Sequence, residues 1–420
     1  MSIVARLRRT KASLLDLAVR THDAGLTRWG WPGRLFARAL AASIRILPQH
    51  EVVPLRWLHD RPPDRLLRAG RRGRAAGPRF GIRQEIADVP IPAVSAFVFD
   101  DAIVRGCSSS VLLADGFVLE GIHGIGGDRG HFVAGHLMAH GTESAIVRRS
   151  RPSPIPAGIF LGGNGAFNYY HWMVELLPKL EFLPDIAGLV DGMPLLVAEE
   201  AASIPTIRAG LDLLRGDRPI VVLERDTSYT VGRLIYVNAP SVCPFNLRAR
   251  ERLAVGDFRL RPESIQFVRR GLTRRSAAQP VGEGRIFLAR GRQRRDYNQA
   301  ELIQVAERRG FIAVHLEAMA LDEQVATIQT AAVIVGPSGA AWTNLIFARE
   351  GARCLSWLPD GAHEFAAYST IAELVGVDLR FFTYRTGTTS TSQLYRQAYR
   401  LDVVAFEREL DALLIADRAT

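Results

Sequence analysis

The sequence predicts an α/β protein of two Rossmann-like lobes preceded by a basic helical extension, and three observations carry that expectation. From about Phe80 short β-like runs alternate with helix-like ones, the pattern of parallel-sheet units. A stretch rich in Arg, Gly and Pro, Arg261 to Gly284, interrupts the alternation and marks a boundary. Charge, finally, is concentrated at one end. Residues 1–100 hold 18 basic and 8 acidic residues, a net of +10, whereas the remaining 320 hold 35 of each. At 420 residues, 48% hydrophobic and 23% charged, the chain has ordinary globular composition and is long enough for two domains. The resulting division is a basic extension over 1–80, a first lobe over 81–260, a second over 261–400, and a C-terminal helix over 401–420.

In chain order, Ser13–Val19 and Leu35–Leu47 read as short amphipathic helices with arginines on the wet side. Pro62, Pro63 and the run Arg68, Arg71, Arg72, Arg74 predict a poorly structured connector. Ala96–Phe99, Ser110–Ala114, Phe117–Glu120 and Ala145–Val147 are β-like, with turns at Asp115-Gly116 and Gly126-Gly127-Asp128. The strand Ile159–Leu161 runs into Gly162-Gly163-Asn164-Gly165, and a helix capped by Asn168 continues towards Leu183, bent at Pro178. Leu195–Ala198, Ile220–Leu223 and Leu234–Val237 continue the first lobe. In the second, strands at Arg285–Ala289, Phe311–His315, Ala332–Gly336 and Arg353–Trp357 alternate with helices at Gln299–Arg309, Leu321–Thr330 and Ala341–Phe347. Val403–Ile415 is an amphipathic helix.

Several function classes drop out. No run approaches the roughly 18–20 apolar residues of a spanning helix, and the N-terminus does not read as a signal peptide. Cys107, Cys243 and Cys354 stand far apart with no metal-ligand spacing, so neither a disulfide framework nor a zinc site is expected. Asp100-Asp101 and Glu199-Glu200 are adjacent rather than spaced, which gives no support for a metal. Of 53 basic residues 51 are arginine, and their excess lies in the extension rather than on a folded face interleaved with aromatics. No nucleic-acid partner is expected; an acidic membrane surface suits residues 1–80 better.

Three motifs can carry chemistry. His171, in Asn168-Tyr169-Tyr170-His171-Trp172, opens a helix beyond the carboxyl end of a strand, where ligands gather in open α/β sheets. Glu175 lies four residues on and shares its helical face, placed to orient an imidazole acting as general base. The turn Gly336-Pro337-Ser338-Gly339-Ala340 opens a helix whose free amides suit phosphate, with Ser338, Thr343 and Asn344 adding polar partners. The arginine loop from Arg290 to Arg295 leaves another strand of the same sheet and offers bidentate forks to a diphosphate. Neither the dinucleotide-binding nor the Walker fingerprint is present.

Together, "NYYHWMVELLPKL" at 168–180, "DYNQAEL" at 296–302 and "VGPSGAAWTNLIFA" at 335–348 resemble glycosyltransferase family 61, which includes capsular polysaccharide biosynthesis proteins. The similarity runs from about Ile155 to Leu358. It implies a fold of GT-B type and inverting transfer from a nucleotide-diphosphate sugar to a hydroxyl of a cell-surface polysaccharide or glycolipid, without a metal or other cofactor, on the cytoplasmic side of the membrane. By position, the resemblance makes His171 the base and Glu175 its orienter. Arg290, Arg295, Asn298, Ser338, Gly339, Ala340, Thr343 and Asn344 fall to the donor. Ser338 stands where many members carry histidine, and Gln299 where an acid is common. Two alternatives stay open: a related envelope transferase moving a pyruvyl or phosphosugar group, and a non-catalytic member that scaffolds an assembly complex.

Overall fold

The computed structural model of the chain describes residues 3–45, 49–121, 132–244, 252–274, 284–291, 295–387 and 397–415, with side chains in the first range from Lys11 to Ile44. The Gly126-Gly127-Asp128 turn and the loop residues 292–294 lie outside them.

The chain opens with a helical hairpin, α1 (Ile3–Thr27) and α2 (Gly30–Arg45), longer than the two short helices expected. Leu15, Val19 and Ile44 form its buried seam against Ala139 and Ile146. The helices touch at two glycines: a Cβ on Gly33 would lie 2.4 Å from the Gly25 carbonyl oxygen, so any larger residue would push them apart. The Asp23 carboxylate fastens the hairpin to the body, accepting from the Thr142 amide (2.7 Å), the Glu143 amide (3.0 Å) and the Ser144 hydroxyl. A Cβ at Gly141 would sit 1.8 Å from Asp23 Oδ2, so glycine is required there. Burial alone would raise the Asp23 carboxyl, but its hydrogen bonds from His22, Ser144 and the two amides hold it below the usual carboxylate range.

Eleven strands form the larger sheet among the described residues. In chain order the first strands are β1 (His50–Trp57), β2 (Arg65–Arg68), β3 (Arg71–Ala76), β4 (Ile86–Ile91), β5 (Val94–Val104), β6 (Ser110–Leu113) and β7 (Gly116–Leu119). They are followed by β8 (Leu137–His140), β9 (Ser144–Arg148), β10 (Ser153–Phe160), β11 (Leu195–Ala198), β12 (Ile220–Leu223) and β13 (Tyr229–Val237). The spatial order is β12-β11-β10-β13-β5-β6-β7-β1-β9-β8, with β2 on β5 and β3-β4 as a separate ribbon.

β12, β11, β10 and β13 form a parallel block, and β1 also runs parallel to β7. The expected Rossmann-like first half is therefore a mixed sheet, because the run from β5 to β7 folds back through short antiparallel pairs. Nor is 62–74 an unstructured connector. Leu67, Ala75 and Ala76 are buried strand residues, and the arginines between them pair with the body: Arg68 with Asp185 (2.7 Å), Arg74 with Glu373 (2.9 Å), and Arg71 with Glu263.

The smaller sheet is wholly parallel: β14 (Gly284–Leu288), β15 (Ile312–Val314), β16 (Ala331–Val335), β17 (Arg353–Pro359) and β18 (Asp378–Tyr384), ordered β15-β14-β16-β17-β18. Its winding direction reverses between β14 and β16. Loops leaving the carboxyl ends of those two strands diverge to opposite faces and open a crevice for ligands. The Arg261–Gly284 stretch holds a helix, Pro262–Thr273, rather than a linker. Its apolar spacing is hidden among arginines, yet Ile265, Val268 and Leu272 fall on one face and are buried. One buried cluster runs from Ile159 and Val237 in the larger sheet to Ile286 and Ile334 in the smaller, through the helices between them.

Candidate active site

Asn168 caps the helix as expected, its side chain accepting from the Tyr170 amide (3.0 Å). Beyond the cap the chain departs from the single bent α-helix expected. A single α-turn, Tyr169–His171, passes into a π-segment, Trp172–Leu176, and then a 3₁₀ stretch, Leu177–Ile186. Pro178 has no amide proton to return along the helix, and the Leu177 amide instead reaches the Trp172 carbonyl, five residues back.

This irregular turn presents the expected pair. His171 Nδ1 lies 2.5 Å from Glu175 Oε2, with both side chains largely buried. The other carboxylate oxygen accepts from the Cys243 amide (2.8 Å), so Glu175 is held at both ends. The Tyr170 ring stands edge-on to the imidazole, centroids 5.5 Å apart, and its hydroxyl sits 3.1 Å from Cys243 Sγ. Burial pushes the Cys107, Cys243 and Cys354 thiols up, so none is poised as a thiolate.

One neighbour escaped the sequence reading. Lys179, one of only two lysines, continues the His171–Glu175 series at the same four-residue step and is 2% exposed. Its ammonium lies 3.7 Å from Glu120 Oε2 and 4.9 Å from the Tyr236 ring centroid. Glu120 also accepts from the Tyr236 hydroxyl and the Ala239 amide, each at 2.5 Å. Burial pulls the Lys179 ammonium below the usual lysine range, against the pull of Glu120 and Glu175. Glu120 and Glu175 line a small cavity of about 50 Å³, with Ser109 and Asn164 as its other polar walls and Phe132, Leu176 and Val242 among its apolar ones. The four-residue repeat of His, Glu and Lys was the signal available in the sequence.

The second group of expected residues lies at the switch point. The Arg290 guanidinium crosses from the end of β14 and donates to the Ser338 carbonyl beyond β16. A Cβ at Gly339 would lie 2.3 Å from Arg290 Nη2, so the absence of a side chain there lets the arginine pass. Because Ser338 offers its backbone to this bond, the tie does not depend on which side chain stands there. Gln299 receives the Arg290 amide (2.8 Å) and donates to the Arg290 carbonyl (2.9 Å). An ionised acid could accept but not donate, which gives this departure a local purpose. Arg295 donates to the Tyr384 hydroxyl (3.3 Å), beside Tyr399, whose ring stacks 4.1 Å from that of Tyr384.

Other residues expected at the donor are committed elsewhere. Asn298 exchanges hydrogen bonds with the Leu401 backbone (2.9 and 3.1 Å) and donates to Glu301 (3.0 Å), bracing the C-terminal segment. Thr343 and Asn344 are fully buried. Ala340 opens the segment Ala340–Phe347, which is a 3₁₀ rather than an α-helix. Asn344 joins the two halves of the site: its Oδ1 accepts from the Tyr169 hydroxyl (2.9 Å), two residues before His171. Among the described residues no group of three or more His, Cys, Asp or Glu side chains is placed to hold a metal ion.

Residues 169–355 match the family model Glycosyltransferase 61, a span that takes in His171, Glu175, both arginines and the Ser338 turn. No curated protein matches the chain.

Proposed function

We propose, taking the glycosyltransferase 61 domain at 169–355 as the premise, that this protein is an inverting glycosyltransferase of GT-B type. It moves a sugar from a nucleotide diphosphate to a hydroxyl of a cell-surface polysaccharide or glycolipid at the inner face of the cytoplasmic membrane. The observation that carries this reading is the Tyr169–Asn344 hydrogen bond, which ties the helix bearing His171 to the turn facing Arg290.

In the proposed step the acceptor oxygen attacks the anomeric carbon while the bond from that carbon to the diphosphate oxygen breaks. Glu175 occupies Nδ1, so the proton leaving the acceptor enters the imidazole at Nε2, and the carboxylate stabilises the imidazolium that forms. The departing diphosphate carries away the bond's electron pair, and Arg290 and Arg295 offset its charge. Neither residue type needs a metal for this, although the diphosphate itself binds cations readily.

The test is thermal stabilisation by a panel of nucleotide sugars, with and without EDTA, alongside transfer to a saccharide acceptor by wild type and His171→Ala. A shift with one donor class in both proteins, with transfer lost by about 10²–10⁴-fold in the variant alone, is the expected result. Equal turnover by the variant removes His171 as base. No shift and no transfer in wild type puts the non-catalytic reading first.

A further inference from the structure

Where would the protein touch a membrane? The basic run of the extension is largely engaged, because three of its four arginines, Arg68, Arg71 and Arg74, pair with Asp185, Glu263 and Glu373 of the body. The hairpin is different. Residues 3–45 carry nine basic and two acidic residues, a net of +7, and Asp23 is already engaged by the body. Both helices lie on the sheet through Leu15, Val19 and Ile44, so their opposite faces point away from the protein.

Those outer faces are apolar where a lone soluble domain would be polar. On α2, Trp31, Leu35, Arg38 and Ala42 succeed one another at helical spacing and are all exposed, Trp31 at 74% and Leu35 at 55%. On α1, Leu14 and Leu17 are 61% and 64% exposed on the side opposite Leu15 and Val19. Arg34 lies beside the α2 stripe and Arg38 within it, and Arg20 and Arg28 line an open cleft beside the exposed Trp29 at the hairpin turn. Among the described residues no helix is long and apolar enough to cross a membrane.

We infer that the outer face of the α1–α2 hairpin is a docking surface for an acidic bilayer, with Trp31, Leu35, Leu14 and Leu17 entering the headgroup boundary and the arginines meeting lipid phosphates. Indole rings and leucines flanked by guanidinium groups match that boundary, apolar on one side and anionic on the other. A second copy of the chain is the poorer occupant, since it would bring +7 against +7. The inference deepens the membrane part of the proposed function and rests on it, but not on the sugar-transfer part.

Sedimentation of the full chain with vesicles of pure phosphatidylcholine and of phosphatidylcholine with one quarter phosphatidylglycerol tests it. Wild type is expected to pellet with the acidic vesicles only, and less so as salt rises. The pair Trp31→Ser with Leu35→Ser, and the pair Arg34→Glu with Arg38→Glu, should each weaken binding at least about tenfold. All four positions are exposed, so the fold and any nucleotide-sugar thermal shift should persist, and that shift reports separately on the donor site. No binding of wild type to acidic vesicles overturns the inference, as does equal binding by both variants. A wild-type dimer that the variants convert to monomer, without vesicle binding, assigns the face to self-association instead.

Discussion

The two sheets support different kinds of chemistry, and the contrast lies in what holds the polar groups. Beside the larger, mixed sheet, side chains hold one another, His171 with Glu175 and Glu120 with Lys179 and Tyr236, and the Cys243 backbone amide adds a further hold on Glu175. At the smaller, parallel sheet the backbone does most of the holding. Arg290 is gripped at its amide and carbonyl by Gln299 and spends one donor on the Ser338 carbonyl. The first arrangement suits a proton relay, which needs a fixed partner at each atom. The second suits an anion, which needs charge brought to a strand end without side chains in the way.

Three substitutions probe that contrast. The largest stability effect is expected from Lys179→Met, which leaves Glu120 buried opposite no cation and should cost about 3–5 kcal/mol in urea unfolding. Adding Glu120→Gln should restore at least half of that loss; an additive double variant would break the idea of a paired cluster. The pH dependence has a definite sign. Lys179 binds its proton less tightly when folded than when unfolded, so between its lowered value and the ordinary lysine range the unfolded chain holds more protons. Stability attributable to Lys179 therefore rises with pH across that window, and the rise should vanish in the Met variant.

Next is Arg290→Ala, which should weaken nucleotide-sugar binding by about 10- to 100-fold while leaving the pH profile of transfer in place. A changed profile with unchanged affinity would erase the distinction between the two halves. The smallest effect is expected at Asn298. The alanine variant loses the Leu401 ties and about 1–2 kcal/mol of stability, yet should bind the donor as wild type does. A tenfold loss of donor affinity would return Asn298 to the site.

How much of the fold and the site is legible in the sequence depends on the range of each signal. The second half declares itself because a parallel sheet with helical crossovers repeats one pattern, and β14 to β17 fall where the alternation puts them. The His171–Glu175 pair is readable because both partners lie one helical turn apart. Strands β1 to β4 are not, because arginines and prolines mask the few buried positions and β1 finds its partner β9 about 90 residues on. Asn298, Thr343 and Asn344 look like ligand residues in a motif, but only the packing reveals that Leu401 and Tyr169 already claim two of them and that the third is sealed in the core. Lys179 stands on the readable four-residue series, but its partner Glu120 does not, lying 59 residues away with no motif joining them.

The fastening at Asp23 has a mechanical consequence. The hairpin meets the body through a carboxylate gripped by three donors from one β-turn, with Gly141 left bare so that the two fit. Such a joint transmits torque. If the hairpin docks on a bilayer as proposed, it would not swing beneath the body as a tethered float does; it would set the body's tilt, and with it the direction from which a proposed acceptor reaches His171. On that proposal, lengthening the joint would keep the membrane contact and change the angle the body makes with the surface.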